Sequence, residues 1–354
     1  MASKILSIII PSFNMEHYLP HTLGSIVELD GHYLDSVEIL VINDGSTDRT
    51  GEMAHAFEQK YPHVVRVVDK ANGHYGSCIN AGLKVATGEY IKVLDADDSY
   101  DTNALRCLLE KLPGCVAEGI DTVFTDFVLV YEGTAKSSLV SYDLPEGKAF
   151  DLETFSVRGQ KMVMHTITYR TSLLRQMGYK QTEGMPYTDN EWALFPMRHV
   201  ASMRYFKFPV YRYLVGRDGQ SVSFEQSVKN VGRLETVLEN VLVKSREYND
   251  CVAYCRYARL FETDLARLIY EVAFLGLSIG QCKEKISFWE KRLAQLAPAV
   301  LEKLDELSLM PHKRPEIRYV RMWRSHVGMR GVCIRYVRCV NWLLRLSRRL
   351  RGIG

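Results

Sequence analysis

Short apolar runs alternate with helix-spaced apolar stripes along the first hundred residues of the chain. KILSIII, residues 4–10, is an almost continuous apolar run closed by Pro11 and predicts a strand. HYLPHTLGSIVEL then places Leu19, Leu23, Ile26 and Val27 at helical spacing. VEILVI predicts a second buried strand, and STDRTGEMAHAFEQKY a helix opened by a Ser/Thr/Asp cap. VVRVVD, GSCINAGLKVA and EYIKVLD continue as strand, helix and strand. Strands that stay apolar on both faces and alternate with helices imply a mostly parallel sheet flanked by helices, an α/β fold. In such sheets ligands bind at the carboxyl ends of the strands.

The pattern changes after residue 110. DTVFTDFVLVYE, KMVMHTITYR and SMRYFKFPVYRYLV predict further strands, and TDNEWALFPMRHV a helix. From about Ser227 onward the spacing is helical: Val231, Leu234, Leu238, Val241 and Leu242 form one stripe, and Leu260, Phe261, Leu265, Leu268 and Val272 another. The expected organisation is an α/β domain over 1–225 (halves 1–101 and 102–225), a helical region over 226–316 and a basic amphipathic tail over 317–354. No repeat, low-complexity stretch or long Pro/Gly linker separates them.

Length and composition narrow the class. A chain of 354 residues predicts two structural units, and 47% hydrophobic with 25% charged residues leaves ample core. No apolar run reaches the ~18 residues of a membrane-spanning helix. The opening MASKILSIIIPSF lacks a small-residue cleavage site and reads as a strand, not a signal peptide. Eight cysteines without a CxxC pair read as reduced thiols, which points to a cytoplasmic chain. The net charge of +3 hides an asymmetry: residues 317–354 hold ten arginines and no lysine or acidic residue, so residues 1–316 sum to −7. A basic tail on an acidic body calls for an anionic partner.

The polar loops carry the chemistry. PSFN, NDGSTD, KANGHYG and DADD each follow a predicted strand, so they are expected to meet along one edge. In DADD, Asp95 and Asp97 share one side of an extended segment. A hard divalent cation takes oxygen ligands, typically one or two carboxylates plus substrate phosphates. Carboxylates approach a diphosphate only with a cation between them. The alternative is an Asp-rich turn capping a helix that starts near Asn103. Asp44 stands at the tip of the second strand, placed to accept from a base N–H. There is no GxGxxG after the first strand and no GxxxxGK[ST], against a dinucleotide fold and a P-loop.

The ordered set IIIPSFN, ILVINDGSTD and KANGHYGSCINAGLKVATGEYIKVLDADD resembles glycosyltransferase family 2, with its GT-A fold, tightly over residues 4–101 and loosely to about 225. The resemblance implies a UDP-sugar donor, a divalent Mn or Mg ion, and inversion by direct displacement at the anomeric carbon. By position Pro11, Ser12, Asn14, Asp44, Asn72 and Gly73 would line the nucleotide, Asp95 would contact ribose or sugar, and Asp97 the metal. The family also implies a carboxylate base on a helix facing the sugar. EGMPYTDNEW offers Asp189 and Glu191. Thr188 replaces the Glu of the common Glu-Asp pattern, so Asp189 is the expected base and Glu191 the runner-up. An acidic pair favoured by the helix dipole is the plainer reading. Ile79 stands where many relatives carry an arginine before the asparagine corresponding to Asn80. VGRDGQSVS sits where family members close a loop over the diphosphate, with Arg217 and Gln220 as donors. His165 either meets the acceptor or is a satisfied buried histidine. The implied setting is bacterial cell-envelope or capsular polysaccharide synthesis, with a glycan or lipid-linked glycan as acceptor. The competing classes are a nucleotide-sugar binding protein without turnover, which needs no Asp189, and a sugar nucleotidyltransferase. The latter needs a Gly-rich, Lys/Arg-bearing loop after the first strand, which PSFNMEHY is not.

The tail gives a separate expectation. Projected at about 100° per residue, Val332, Cys333, Tyr336, Val337, Cys339, Val340, Leu343 and Leu344 fall on one side. Arg335, Arg338, Arg345, Arg348 and Arg349 fall on the other, with Trp342 near the border. That is an interfacial pattern, expected to hold the protein on the anionic inner face of the plasma membrane. A helix packed on the acidic body is the alternative, and no nucleic-acid partner is expected.

Overall fold

The computed structural model describes residues 4–217, 220, 223–308 and 317–350, with side chains to residue 344. Among the described residues ten strands form one mixed sheet: β1 (Leu6–Ser12), β2 (Val37–Asn43), β3 (Val65–Asp69), β4 (Tyr90–Val93), β5 (Ser99–Tyr100), β6 (Thr122–Tyr131), β7 (Ser137–Val140), β8 (Ala149–Phe150), β9 (Ile167–Arg170) and β10 (Met203–Val215). The order is β3-β2-β1-β4-β9-β6-β10-β5, with β7 on β6 and β8 on β10. The β3, β2, β1 and β4 neighbours are parallel, and β9 joins them antiparallel to β4 and β6. Helices α1 (Leu19–Val27), α2 (Gly31–Asp35), α3 (Thr50–Lys60), α4 (His74–Val85), α5 (Thr102–Ala117), α6 (Leu152–Ser156), α7 (Thr171–Gln176) and α8 (Asp189–Leu194) accompany the sheet. The chain then runs through α9 (Phe224–Lys229), α10 (Val231–Glu247), α11 (Val252–Gly276), α12 (Ile279–Leu296), α13 (Pro298–Leu304), α14 (Tyr319–Ser325) and α15 (Arg330–Leu350). Two compact units result: Met1–Asp218 with Cys251–Tyr257, and Gly219–Asp250 with Ala258–Gly354.

The four N-terminal strands follow the apolar runs closely, because a strand covered on both faces needs apolar residues at every position. Every residue of β2 is buried, including Glu38. Its carboxylate is satisfied by Ser7 Oγ, Thr87 N and Gly88 N, which ties the starts of β1 and β4 together at the end of the sheet away from the loops. In the second unit Glu235 meets Lys285 and Glu239 meets Arg292, joining α10 to α12 above the buried stripe of Leu234, Leu238, Val241 and Leu242.

Three local expectations need correction. KMVMHTITYR is a strand only over Ile167–Arg170, because Met164–Thr166 turns as a 3₁₀ segment. The fully buried Lys92 stabilises that turn by donating from Nζ to His165 O at 2.8 Å. Helix α3 starts at Thr50 and its N-cap, Arg49, makes no side-chain cap. Ser46 Oγ accepts from the Asn14 amide instead, while Asp48 divides its oxygens: Oδ1 accepts from Thr50 N at 3.0 Å, at the helix start, and Oδ2 from Glu16 N at 3.1 Å in the neighbouring loop. TDNEWALFPMRHV is helical only to Leu194, and a 3₁₀ turn containing Pro196 follows.

Gly76 shows how closely α4 approaches the segment after α7. A Cβ there would lie 1.9 Å from Thr182 O, a backbone atom with no rotamer to escape into. Gly114, inside α5, has nothing within 4 Å of an added Cβ. The two should answer one substitution with opposite signs. Gly76→Ala is expected to destabilise by about 1–3 kcal/mol or more, and Gly114→Ala to stabilise by about 0.5–1 kcal/mol. Urea unfolding midpoints of both variants check this. Equal effects would mean that α4 does not rest on Thr182.

Candidate active site

The strand register brings the polar loops together. The Asp44 amide donates to Ser12 O at 2.8 Å, extending the β1–β2 pairing by one step. Asn14 then turns with φ 53, and its Oδ1 accepts from Thr47 N at 2.8 Å. Asp44 is buried at that junction, and its Oδ1 accepts from Lys70 Nζ at 2.5 Å and Gly73 N at 2.9 Å. Lys70 also donates to Ala71 O and Ser77 Oγ. Gly73 O accepts from Gly184 N at 2.8 Å, linking the β3 loop to the segment leading into α8. Among the described residues three non-glycines have positive φ: Asn14, His74 and Tyr187. Asn14 and Tyr187 lie in these connecting segments, and His74 opens α4 directly after one of them. Each such conformation costs about 1 kcal/mol or more unless its surroundings fix it.

The turn after β4 treats its four aspartates differently. Asp101 caps α5, accepting from Ala104 N at 3.0 Å. Asp98 is buried, and its two oxygens accept from Tyr211 OH at 2.6 Å and Leu214 N at 2.7 Å, which binds the turn to β10. Burial, with Asp95 and Asp97 nearby, pushes the Asp98 carboxyl well above the ordinary range. Asp97 meets Arg217, whose Nε and a terminal nitrogen lie 2.8 and 2.7 Å from the same oxygen. The guanidinium also stands 5.3 Å from the Tyr18 ring centroid, within cation–π range. Asp95 has a buried Oδ1 without a hydrogen-bond partner. Its carboxyl is pushed up to about 8, first by burial and then by Asp97 and Asp189.

Three further groups lie nearby. Asp189, in the first turn of α8, faces the Asp95 and Tyr75 side chains closely enough to influence both. Burial raises its own carboxyl above the ordinary range, against the pull of Lys161. Glu191 is fully buried and accepts from Thr182 N at 2.8 Å, a bond that holds backbone. His165 packs against Tyr213 and Tyr211 with centroids at 4.5 Å, and against Phe127 at 5.3 Å. Burial and then the Lys92 ammonium hold its imidazole down at about 3, so the ring is neutral. Its Nδ1 is buried without a partner.

Most expected residues therefore fall at the same strand ends: Pro11 and Ser12 end β1 with Asn14 just after, Asp44 follows β2, Asn72 and Gly73 follow β3, and Asp95 and Asp97 follow β4. Ser12 turns its hydroxyl back onto Ile10 O, inside its own strand. Gln220 is buried and falls in the second unit, while Arg217 falls in the first. Residues 218–219 and 221–222 of that loop lie outside the described residues. Lys70, Tyr75 and Tyr211 escaped the sequence reading. Lys70 opens KANGHYG and Lys92 is a lone charge in an apolar run, so both left a signal. Tyr211 left none, because only the β10 pairing aims its hydroxyl at Asp98.

The residues fit a divalent cation. Asp95, Asp98 and His165 each offer a ligand atom within 4.8 Å of the others, and the unpartnered Asp95 Oδ1 is one oxygen left to satisfy. Carboxylate oxygens suit Mn and Mg, and an imidazole suits the softer divalent ions. Asp97, the expected ligand, faces Arg217.

The sequence model "Glycosyl transferase family 2" matches residues 7–163. The chain is 28% identical over 232 residues to an uncharacterized glycosyltransferase, YibD, of Escherichia coli K12, covering 64% of this chain and 66% of that one. It is 29% identical over 108 residues to the minor teichoic acid biosynthesis protein GgaA of Bacillus subtilis, covering 30% of this chain and 24% of that one. The first curated relatives it matches are spanned over 30% to 66% of their own length. In fold it is similar to S. aureus TarS residues 1–349, solved with UDP-GlcNAc, at TM-score 0.60 and 17% identity, covering 97% of this chain and 92% of that one.

The Asp95 environment has a pH signature. Its carboxyl holds a proton up to about 8 in the folded chain, whereas an unfolded aspartate releases it near ~3.9. Between these values the folded state binds more protons, so stability falls as pH rises across that window. Urea midpoints of metal-free protein should therefore drop from about pH 5 to about pH 8. Asp95→Asn should flatten the drop in part, since Asp98 contributes with the same sign. An unchanged slope in the variant would place Asp95 in water.

Proposed function

We propose that this chain, which belongs to glycosyl transferase family 2 through residues 7–163, moves a sugar from a UDP-sugar to an acceptor hydroxyl with inversion at the anomeric carbon. The observation that carries the reading is the Asp95–Asp97 turn at the tip of β4, with Arg217 on one side and Asp189 on the other. A paired cation and carboxylate beside a second, separate carboxylate suit two opposite tasks in one displacement.

The leaving diphosphate gathers negative charge as the bond to the sugar breaks, and Arg217 is the cationic side chain of the first unit already beside that position. At an effective dielectric near 20, one pair of unit charges ~4 Å apart contributes ~4 kcal/mol. A Mn or Mg ion held through the open Asp95 oxygen, with Asp97 as a second ligand once Arg217 turns to the diphosphate, would add charge stabilisation there. Asp44, with Lys70 and Gly73 fixing one oxygen, serves the base. Asp189 takes the acceptor proton, a contribution of ~10²–10⁴-fold. Its raised affinity for a proton suits a base that must hold one after transfer. In-line attack makes a β-product from an α-linked donor.

The UDP-GlcNAc seen with TarS supports a UDP-sugar as donor class. The GgaA relationship supports an envelope-glycan setting. A glycan or lipid-linked glycan on the cytoplasmic side of the membrane is the acceptor this reading favours.

UDP release from a panel of UDP-sugars, with Mn or Mg and with or without acceptor glycan, tests the reading. Release that rises with acceptor is expected. UDP binding without turnover on any donor would leave a binding protein instead. Two variants separate the roles. Asp97→Asn should weaken UDP binding when Mn is present and leave metal-free binding nearly unchanged, as read by calorimetry. Asp189→Asn should keep UDP and metal binding while transfer falls ~10²-fold or more. Near-parental turnover in that variant would remove Asp189 from the role.

A further inference from the structure

The tail helix splits the apolar face that its sequence projection favours, burying one side of it and exposing the other. Cys333, Ile334 and Val337 are buried within the second unit. Arg338 turns inward with them, donating from Nε to Phe274 O at 2.7 Å and from a terminal nitrogen to Leu277 O, at the end of α11. Arg330 stacks over Trp323 at 4.4 Å, and Arg324 pairs with Glu290 and Asp305. These arginines are structural.

The outward side of α15 is apolar all the same. Val332, Tyr336 and Leu343 are 56, 49 and 51% exposed, with Cys339 exposed between them, and Trp342 beside them is 61% exposed. Their spacing of three or four residues makes one stripe along the helix. Val327 and Met329 are exposed just before it. Of the twelve large hydrophobics exposed among the described residues, six lie between Val327 and Leu343. Such clustering on one segment marks an interaction surface, whereas scattered exposed hydrophobics need no explanation.

Charge decides what fits it. Residues 317–354 contain ten arginines and no acidic residue. Arg335 is exposed beside the stripe, and the sequence adds Arg345, Arg348, Arg349 and Arg351, whose side chains lie outside the described residues. A second copy of the chain would bring the same positive charge against itself. A purely apolar partner would leave the arginines without a counter-ion. An anionic bilayer satisfies both features: the apolar stripe enters the headgroup–acyl boundary, the edge tryptophan sits at the interface, and arginines reach lipid phosphates. No helix among the described residues is long and apolar enough to cross a membrane, so the helix would lie in the interface plane. We propose that the Val332–Tyr336–Cys339–Leu343 face of α15 docks this protein on an anionic lipid surface. The inference does not depend on the transfer reaction.

The full chain is incubated with vesicles of phosphatidylcholine alone and of an equal mixture with phosphatidylglycerol, then sedimented. Binding to the mixed vesicles that weakens with salt is expected, with little binding to phosphatidylcholine. Trp192, Trp289 and Trp323 are buried, so quenching by brominated lipid should report Trp342. The double variant Tyr336→Asp, Leu343→Asp changes only exposed positions. It should lose about tenfold in vesicle affinity, while UDP binding, which reads the first unit, stays parental. Equal sedimentation of variant and parent overturns the proposal, as does binding that ignores phosphatidylglycerol. A dimer seen without lipid and abolished by the double variant would assign the face to a second copy instead.

Discussion

Repulsion among Asp95, Asp97, Asp98 and Asp101 is the constraint around which the first unit is arranged. Four carboxylates at one strand tip, partly removed from water, are unfavourable unless each finds compensation. Here each finds a different one. Asp101 accepts from a helix amide, and Asp98 is fixed by Tyr211 and Leu214 of β10. Asp97 takes the Arg217 guanidinium. Asp95 alone keeps a buried oxygen without a partner and responds by holding a proton. The turn is thereby divided between Asp101 and Asp98, which accept from their neighbours, Asp97, which pairs with a cation, and Asp95, which keeps an open oxygen.

That division depends on distant chain segments. Strand β10 must lie beside β6 and β5 for Tyr211 to reach Asp98, and Arg217 follows β10 directly. The β9 insertion between β4 and β6 brings His165 to the same wall, held by Lys92 from within β4. Strained residues fall where the loops converge, at Asn14, His74 and Tyr187. This concentrates rigidity around the Asp95 and Asp97 carboxylates.

The second unit follows another logic. Its helices bury apolar stripes and bridge them with Glu–Lys and Glu–Arg pairs. Arginines of the tail divide between this framework and the outside: Arg324, Arg330 and Arg338 join it, while Arg335 remains exposed beside an apolar stripe. The formal charge of the tail overstates what it can offer a partner, because part of it already serves the unit's own carbonyls and carboxylates.

The sequence by itself determined the α/β class, the first four strands and the order of the polar loops that follow them. Each of those strands is buried on both faces, so each is a continuous apolar run, and each loop is the polar segment that ends one. It also singled out Asp44, Asp95, Asp97 and Asp189 as acidic positions in those loops or at a helix start. What it left open is which partner each polar group meets. Ser46 looks like a cap locally but holds the Asn14 amide, and Asp48 divides between Thr50 N and the Glu16 amide. Glu191 looks like an alternative to Asp189 but holds Thr182 N. The helical projection of the tail placed Val332 and Val337 together, while packing buried one and exposed the other. Local pattern records whether a position is apolar or polar, since burial acts on each residue separately. Hydrogen bonds and ion pairs join residues up to a hundred or more positions apart, as with Asp97 and Arg217, and only the tertiary fold brings such partners within reach.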